Sequence, residues 1–151
     1  IDVTENLYKA GVEITASASE LNITDNMPAN ITFAAAAGGA NVCEVTCTVR
    51  DAAGATIAGV FNFDIWLSDA ATGAGLTGTT ASGTVTVKAA SGAVIGTYEA
   101  KKALRVQTLA TGVFVLQITD IAKTGFYVAA TLPSTGATKV SSQLVADNYG
   151  A

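Results

Sequence analysis

The sequence contains no histidine, two cysteines, two prolines, one methionine and one tryptophan in 151 residues, and only 13% of it is charged. Each shortage excludes something. Without histidine there can be no Ser-His-Asp or Cys-His pair. A zinc-type site would have to be built from the two thiols and scattered carboxylates alone. Long polar helix formers are scarce while Ala, Gly, Thr and Val abound, a composition that favours strands and turns over helices. The net charge of −4 leaves no basic face to track phosphates, so nucleic-acid binding is not expected. Uncharged stretches are Gly, Thr and Ala mixtures rather than the long apolar runs of a transmembrane helix, which points to a soluble chain without a membrane partner. The sequence begins at Ile1 with no initiator Met and no signal-peptide core, so trimming is expected.

Charge at 13% is about half of the roughly 25% usual in soluble domains. Free monomers normally rely on interspersed charges to stay dispersed, so much of this surface is expected to be covered in use. A monomer clothed in Thr, Ser and Ala is an equal alternative on composition alone. At 151 residues the chain is one domain's worth, long enough to bury a core.

Residues 42–67 organise the rest. Cys43, Val45, Cys47 and Val49 alternate with Glu44, Thr46, Thr48 and Arg50, the period-2 pattern of a half-buried strand. Asp51-Ala-Ala-Gly54 reads as a turn. Phe61, Phe63, Ile65 and Leu67 then share one face of a second strand, and Asn62, Asp64 and Trp66 the other. The reading is two strands joined by a tight loop, needing a further apolar layer to cover them. On one strand face, Cys43 and Cys47 have Cα atoms about 13 Å apart at a rise near 3.3 Å per residue. A disulfide requires less than about 7 Å. Two reduced, buried thiols are therefore expected, in keeping with synthesis in a reducing cytoplasm.

Residues 1–40 differ in character from the remainder of the chain and are read as an arm. Val12 and Ile14 indicate a short strand, and Ser17 three residues before Glu20 has the spacing of a capping box, which would start a helical turn carrying Leu21 inward. Met27-Pro28 is a break, Ile31 to Phe33 is extended, and 34–40, ending in Gly38-Gly39, reads as a flexible connection. The alternative is that this region packs as an edge of the main domain. Beyond residue 67, alternating segments recur at 83–88, 94–98, 104–108, 113–119, 125–132 and 138–145, separated by Gly-containing turns, and the chain ends in a short polar tail. Seven to nine short strands at this spacing indicate an all-β antiparallel sandwich over 41–151.

Two resemblances add to this. Val45-Thr-Cys-Thr-Val-Arg-Asp-Ala-Ala-Gly54, followed by Ala58-Gly59-Val60 and a strand, resembles bacterial and phage immunoglobulin-like domains of the invasin and Big type, and residues 112–130 look like their closing hairpin. The resemblance implies an Ig-like sandwich and says little of use, since sandwiches host many roles. Gly11-Val-Glu-Ile-Thr-Ala-Ser-Ala-Ser-Glu-Leu-Asn22 is similar to a segment of tailed-phage virion proteins that opens on Thr-Ala and ends in Glu-Leu-Asn, although Ile23-Thr-Asp25 replaces the usual Leu-Asp-Gly. What this implies is a non-enzymatic virion protein made in the bacterial cytoplasm, decorating the capsid exterior and bridging subunits of the major capsid protein, with copies of itself as further partners. Tail-tube or fibre components, and an adhesin domain binding host-surface glycan, are the alternatives.

The chemistry-bearing residues have ordinary structural roles open to them. Asp64, Asp69, Glu99 and Asp120 are scattered singly, without calcium-loop or paired-acid spacing. Thr72-Gly-Ala-Gly-Leu76 lacks the Lys-Ser/Thr of a phosphate loop, and Asn22-Ile-Thr24 and Asn30-Ile-Thr32 match the glycosylation triplet at a rate chance allows in a Thr-rich chain. No catalytic, metal or cofactor site is expected. Contact candidates are Tyr8, Val12, Ile14, Glu20 and Leu21 in the arm and Trp66 on the platform. Trp66 faces away from the Phe63 layer, which makes it either an outward contact residue or the core of a strand covered on both sides. Trp66 and Tyr127 are also the residues that would stack on sugar rings.

Overall fold

The computed structural model describes residues 27–151 throughout, together with the backbone of two short strands, β1 (Leu7–Lys9) and β2 (Val12–Ile14), which pair antiparallel with Leu7 opposite Ile14. Nine further strands form two sheets packed face to face. A four-stranded sheet has the order β3 (Asn30–Ala37), β4 (Val42–Arg50), β9 (Val113–Thr119), β6 (Val85–Val87). A five-stranded sheet has the order β11 (Thr138–Val140), β10 (Tyr127–Thr131), β5 (Asn62–Ser68), β8 (Ala103–Gln107), β7 (Ala93–Glu99). All neighbours are antiparallel. With β3, β4, β9 and β6 taken as strands A, B, E and D, and β11, β10 and β5 as G, F and C, this is the immunoglobulin strand order. The β7–β8 hairpin is inserted between D and E and lies beside C.

The core is the pair of facing inner surfaces. On β4, Cys43, Val45, Cys47 and Val49 are buried at every second position, matched on β9 by Phe114, Leu116 and Ile118. The opposing sheet contributes Phe63, Ile65 and Leu67 from β5, Leu104 and Val106 from β8, and Val128 and Ala130 from β10. Phe63 and Phe114 meet edge to face across the layer, ring centroids 5.3 Å apart at 62°, an arrangement that adds about 0.5–1.5 kcal/mol to simple burial. The cysteines are free and fully inside. Burial, with the Glu44 charge second, pushes the Cys43 thiol up to about 11, and burial raises Cys47 further still.

Four expectations are corrected. β4 and β5 are not a hairpin: β4 pairs with β3 and β9, β5 with β10 and β8, so residues 51–61 cross between the sheets and the two strands cover each other. Residues 113–119 and 127–131 likewise lie in different sheets, and the closing hairpin is β10–β11. Ala34 to Ala37, read as a flexible connection, continue β3, which pairs with β4 over eight residues from Asn30↔Arg50 to Ala37↔Cys43. The strip 30–37 thus belongs to the sandwich rather than to an arm, because a long amphipathic neighbour supplies the pairing that an alanine run does not signal. Finally, the C-terminal tail is structural. Leu144 and Tyr149 are buried, the Tyr149 hydroxyl donates to the Thr124 carbonyl (2.8 Å), and Gly150 N–H donates to the Val42 carbonyl (3.0 Å). A Cβ at Gly150 would lie 2.0 Å from the Gly39 carbonyl oxygen, so only glycine permits this approach.

Candidate interaction surfaces

Trp66 lies on the outer face of the five-stranded sheet, as its alternation with Phe63 and Ile65 predicts, yet it is neither free nor core. The loop after β5 folds back over it, and the indole Nε1–H donates to the Gly73 carbonyl at 2.9 Å. Gly73 holds φ +73, and a Cβ there would sit 2.9 Å from both the Ala129 and Val140 side chains. The backbone of this loop therefore rests directly on β10 and β11 beside the half-buried indole, and Ala129 is fully covered as a result. The loop is internally tied. Ser68 Oγ donates to the Ala74 carbonyl, the Thr77 hydroxyl donates to Asp69 Oδ1 at 2.6 Å, and Gly78 N–H donates to Asp69 Oδ2 at 2.8 Å. These bonds, led by that from Thr77, hold the Asp69 carboxyl below its ordinary range. Trp66 serves as the floor of this structure, half-buried beneath the loop.

Of the arm candidates, the backbone of Tyr8, Val12 and Ile14 runs through the β1–β2 pair. Their side chains, together with Glu20, Leu21 and the capping-box segment from Ser17, lie outside the described residues.

The scattered carboxylates are absorbed by structure. Asp120, 1% exposed, accepts from Ser82 N–H on Oδ1 (3.1 Å) and from Thr124 N–H on Oδ2 (2.9 Å), joining the end of β9 to two neighbouring loops. Burial by itself would raise this carboxyl, but the hydrogen bonds from Thr124 and Ser82 together outweigh it and hold it below its ordinary value. Glu44 takes Lys88 Nζ at 2.8 Å and Gln117 Nε2 at 2.9 Å on the outer face of the other sheet, and is lowered chiefly by the Lys88 bond. Among the described residues no group of three or more acidic or thiol side chains gathers as metal ligands, and no helix is long and apolar enough to cross a membrane.

Two surface features were not visible as such in the sequence. On the outer face beside β7, Tyr98 is 63% exposed and its hydroxyl donates to Asp64 Oδ1 (2.8 Å), which also receives Arg105 Nη1 (3.0 Å). Gln107 Nε2 donates to Asn62 Oδ1 at 3.0 Å one rung further along, and a cleft of about 180 Å³ opens between Asn62, Asp64, Arg105 and the Pro133–Gly136 turn. The cross-strand partners that assemble this cluster come from three strands, so no linear motif announces it.

The second feature is one end of the sandwich. There the chain enters β3 through Met27-Pro28, the Ser134 hydroxyl bonds to the Pro28 carbonyl, and residues 57–61 pack on 108–112 through the Thr108 hydroxyl, which donates to the Gly59 carbonyl at 3.1 Å and accepts Phe61 N–H at 3.0 Å. Loops 51–61, 108–112 and 133–137 at this end contain a single charged residue, Asp51. Met27 (46%), Val60 (58%) and Leu109 (42%) stand exposed on it. The opposite end carries Asp69, Lys101, Lys102, Asp120, Lys123 and Asp147.

Compared with protein-family models, with curated proteins and with solved structures, the chain matches none of them.

Proposed function

We propose that the protein is a non-enzymatic virion component of a tailed phage that sits on the capsid exterior and bridges neighbouring capsid subunits. The observation that carries this reading is the end of the sandwich at which residues 1–26 join β3: its loops 51–61, 108–112 and 133–137 carry one charge, Asp51, beside Arg50 at the end of β4, and it exposes Met27, Val60 and Leu109, while the far end is more richly charged. A charge-depleted patch with an apolar centre is how a docking surface differs from ordinary protein surface. The segment attached to that end is the one that resembles tailed-phage virion proteins, at Gly11 to Asn22. Function here is area and repetition rather than chemistry: many symmetric copies add avidity, so each contact can be weak. Binding of the purified protein to capsids tests it. Removal of residues 1–26, and separately Val60→Glu with Leu109→Glu, should each lower the copies bound per capsid at least several-fold. Unchanged occupancy, or electron-microscopic labelling on the tail, overturns the reading.

A second reading is favoured by the Tyr98 cluster alone. An exposed ring beside a fixed carboxylate, guanidinium and two amides offers one apolar face and several directional hydrogen bonds, which suits a host-surface saccharide. A glycan array that shows binding lost on Tyr98→Ala supports it, and an array with no signal removes it.

A further inference from the structure

Sheet edges left open are templates for pairing, and natural proteins blunt them with short strands, bulges, charge or proline. Among the described residues, three of the four sandwich edges are blunted. β6 and β11 are three residues long, and β7 has register shifts at Val94/Gly96 and Thr97/Glu99. β3 is the exception. It is eight residues long, runs in unbroken register with β4, and contains no charge and no proline.

The groups on that edge that no strand among the described residues pairs can be named. Gly38 N–H donates to the Val42 carbonyl in the register that β3 and β4 share. The alternation of antiparallel pairing then turns the N–H and C=O of even-numbered residues toward β4 and those of Ile31, Phe33, Ala35 and Ala37 outward. Ile31 N–H is held by its neighbour's side chain, Asn30 Oδ1, at 3.0 Å, rather than by a strand. The same four residues face inward over the seam between β3 and the C-terminal segment. A cleft of about 230 Å³ lies there between Ala35, Phe33, Val45 and residues 141–144, and another of about 300 Å³ between residues 30–33 and 139–142.

We infer that this edge binds a second copy of itself, the two β3 strands pairing antiparallel about a two-fold axis at Ala34. Three features of the strand select that occupant. It is uncharged, so self-pairing opposes no like charges. Its bulky inward residues, Ile31 and Phe33, come first and its small ones, Ala35 and Ala37, come last. Antiparallel pairing about Ala34 therefore sets Ile31 against Ala37 and Phe33 against Ala35, and the ring of each Phe33 falls over the partner's cleft beside Ala35. In that register every outward N–H and C=O from residue 31 to residue 37 meets a partner, and the two four-stranded sheets become one of eight strands. The interface is isologous, as a two-fold axis requires. This inference is independent of the capsid reading: a protein of any function with this strand would make the same pair.

Ala34 faces its own symmetry mate at a non-hydrogen-bonded site, where Cα atoms lie about 4.5 Å apart, inside the range a disulfide spans. The native thiols are buried and cannot compete. The test is mild oxidation of Ala34→Cys and Ala36→Cys in the full chain, beside sedimentation of the unmodified protein, of Ala35→Pro and of the protein lacking residues 1–26. The expected results are a dimer for the unmodified protein and for the truncation, a cross-linked dimer for Ala34→Cys at many times the yield of Ala36→Cys, and a monomer for Ala35→Pro. Equal cross-linking of the two cysteine variants, or a monomer at the highest soluble concentration of unmodified protein, overturns the inference. So does a dimer abolished by the truncation, because the edge partner would then be the N-terminal segment.

Discussion

The two long edge strands of the sandwich, β3 and β7, solve opposite problems. Among the described residues both are paired on one side only, and both sit at the margin of a sheet with a common core. β7 is interrupted twice by register shifts and exposes nearly all its side chains, including Val94, Ile95 and Tyr98. Each bulge leaves a residue out of the ladder and twists the strand, so no straight row of donors and acceptors is offered. β3 is straight, uncharged and backed by an unbroken ladder to β4. The lesson is that exposed apolar side chains do not mark which sheet edge can pair. The better guide is which edge lacks the features that prevent pairing.

Point substitutions distinguish the two edges from the core they share. Phe114→Ala removes the ring that packs on Phe63 between the sheets and should cost about 3–5 kcal/mol of stability. Since both edges depend on that core, denaturant unfolding should remain a single transition and both edges should lose protection together. Moving proline by one residue along β3 separates its two sides. Ala34→Pro removes an N–H bonded to β4 and should lower stability by at least about 1 kcal/mol, whereas Ala35→Pro removes an outward N–H and should leave the unfolding midpoint of the monomer nearly unchanged.

Acid acts on the sandwich and spares the edge. The Asp120 carboxyl is held below its ordinary value of 3.8, so its contribution is fully present above that pH and is lost as pH falls further, through the folded value. Denaturant midpoints measured from pH 6 to pH 2.5 should fall below about pH 4, and less so in Asp120→Asn. Pairing through β3 involves no titrating group, so self-association should be indifferent to pH between 7 and 5 and to added salt. The smallest effect is on thiol chemistry. Cys43 and Cys47, buried and with raised thiol pKa values, should not react with a thiol reagent at pH 8 until the protein unfolds. A cysteine at position 34 should react at once in the monomer.

Much of the sandwich is legible in the sequence because alternation maps directly onto burial: Cys43, Val45, Cys47 and Val49 all point inward, and Trp66 points outward. The arrangement of strands is not, since a strand has the same period of two whether its successor pairs beside it or crosses to the opposite sheet. β4 and β5 show this, their expected hairpin being a crossover. Ala34 to Ala37 were hidden for another reason. Alanine has weak strand preference, and its place in β3 comes from the long-range pairing with β4. The covering of Trp66 depends on Gly73 lying against Ala129, fifty-six positions later in the chain, and the Tyr98 cluster on cross-strand neighbours. Both are contacts that local spacing does not encode.

Amide hydrogen exchange measured residue by residue across a dilution series tests the contrast between the two edges most directly. The outward amides of Phe33, Ala35 and Ala37 should slow markedly as protein concentration rises, while those of Ile95 and Tyr98 on β7 stay fast at every concentration. Exchange at Phe33, Ala35 and Ala37 that does not change with concentration, or equal slowing on β7, would contradict the account.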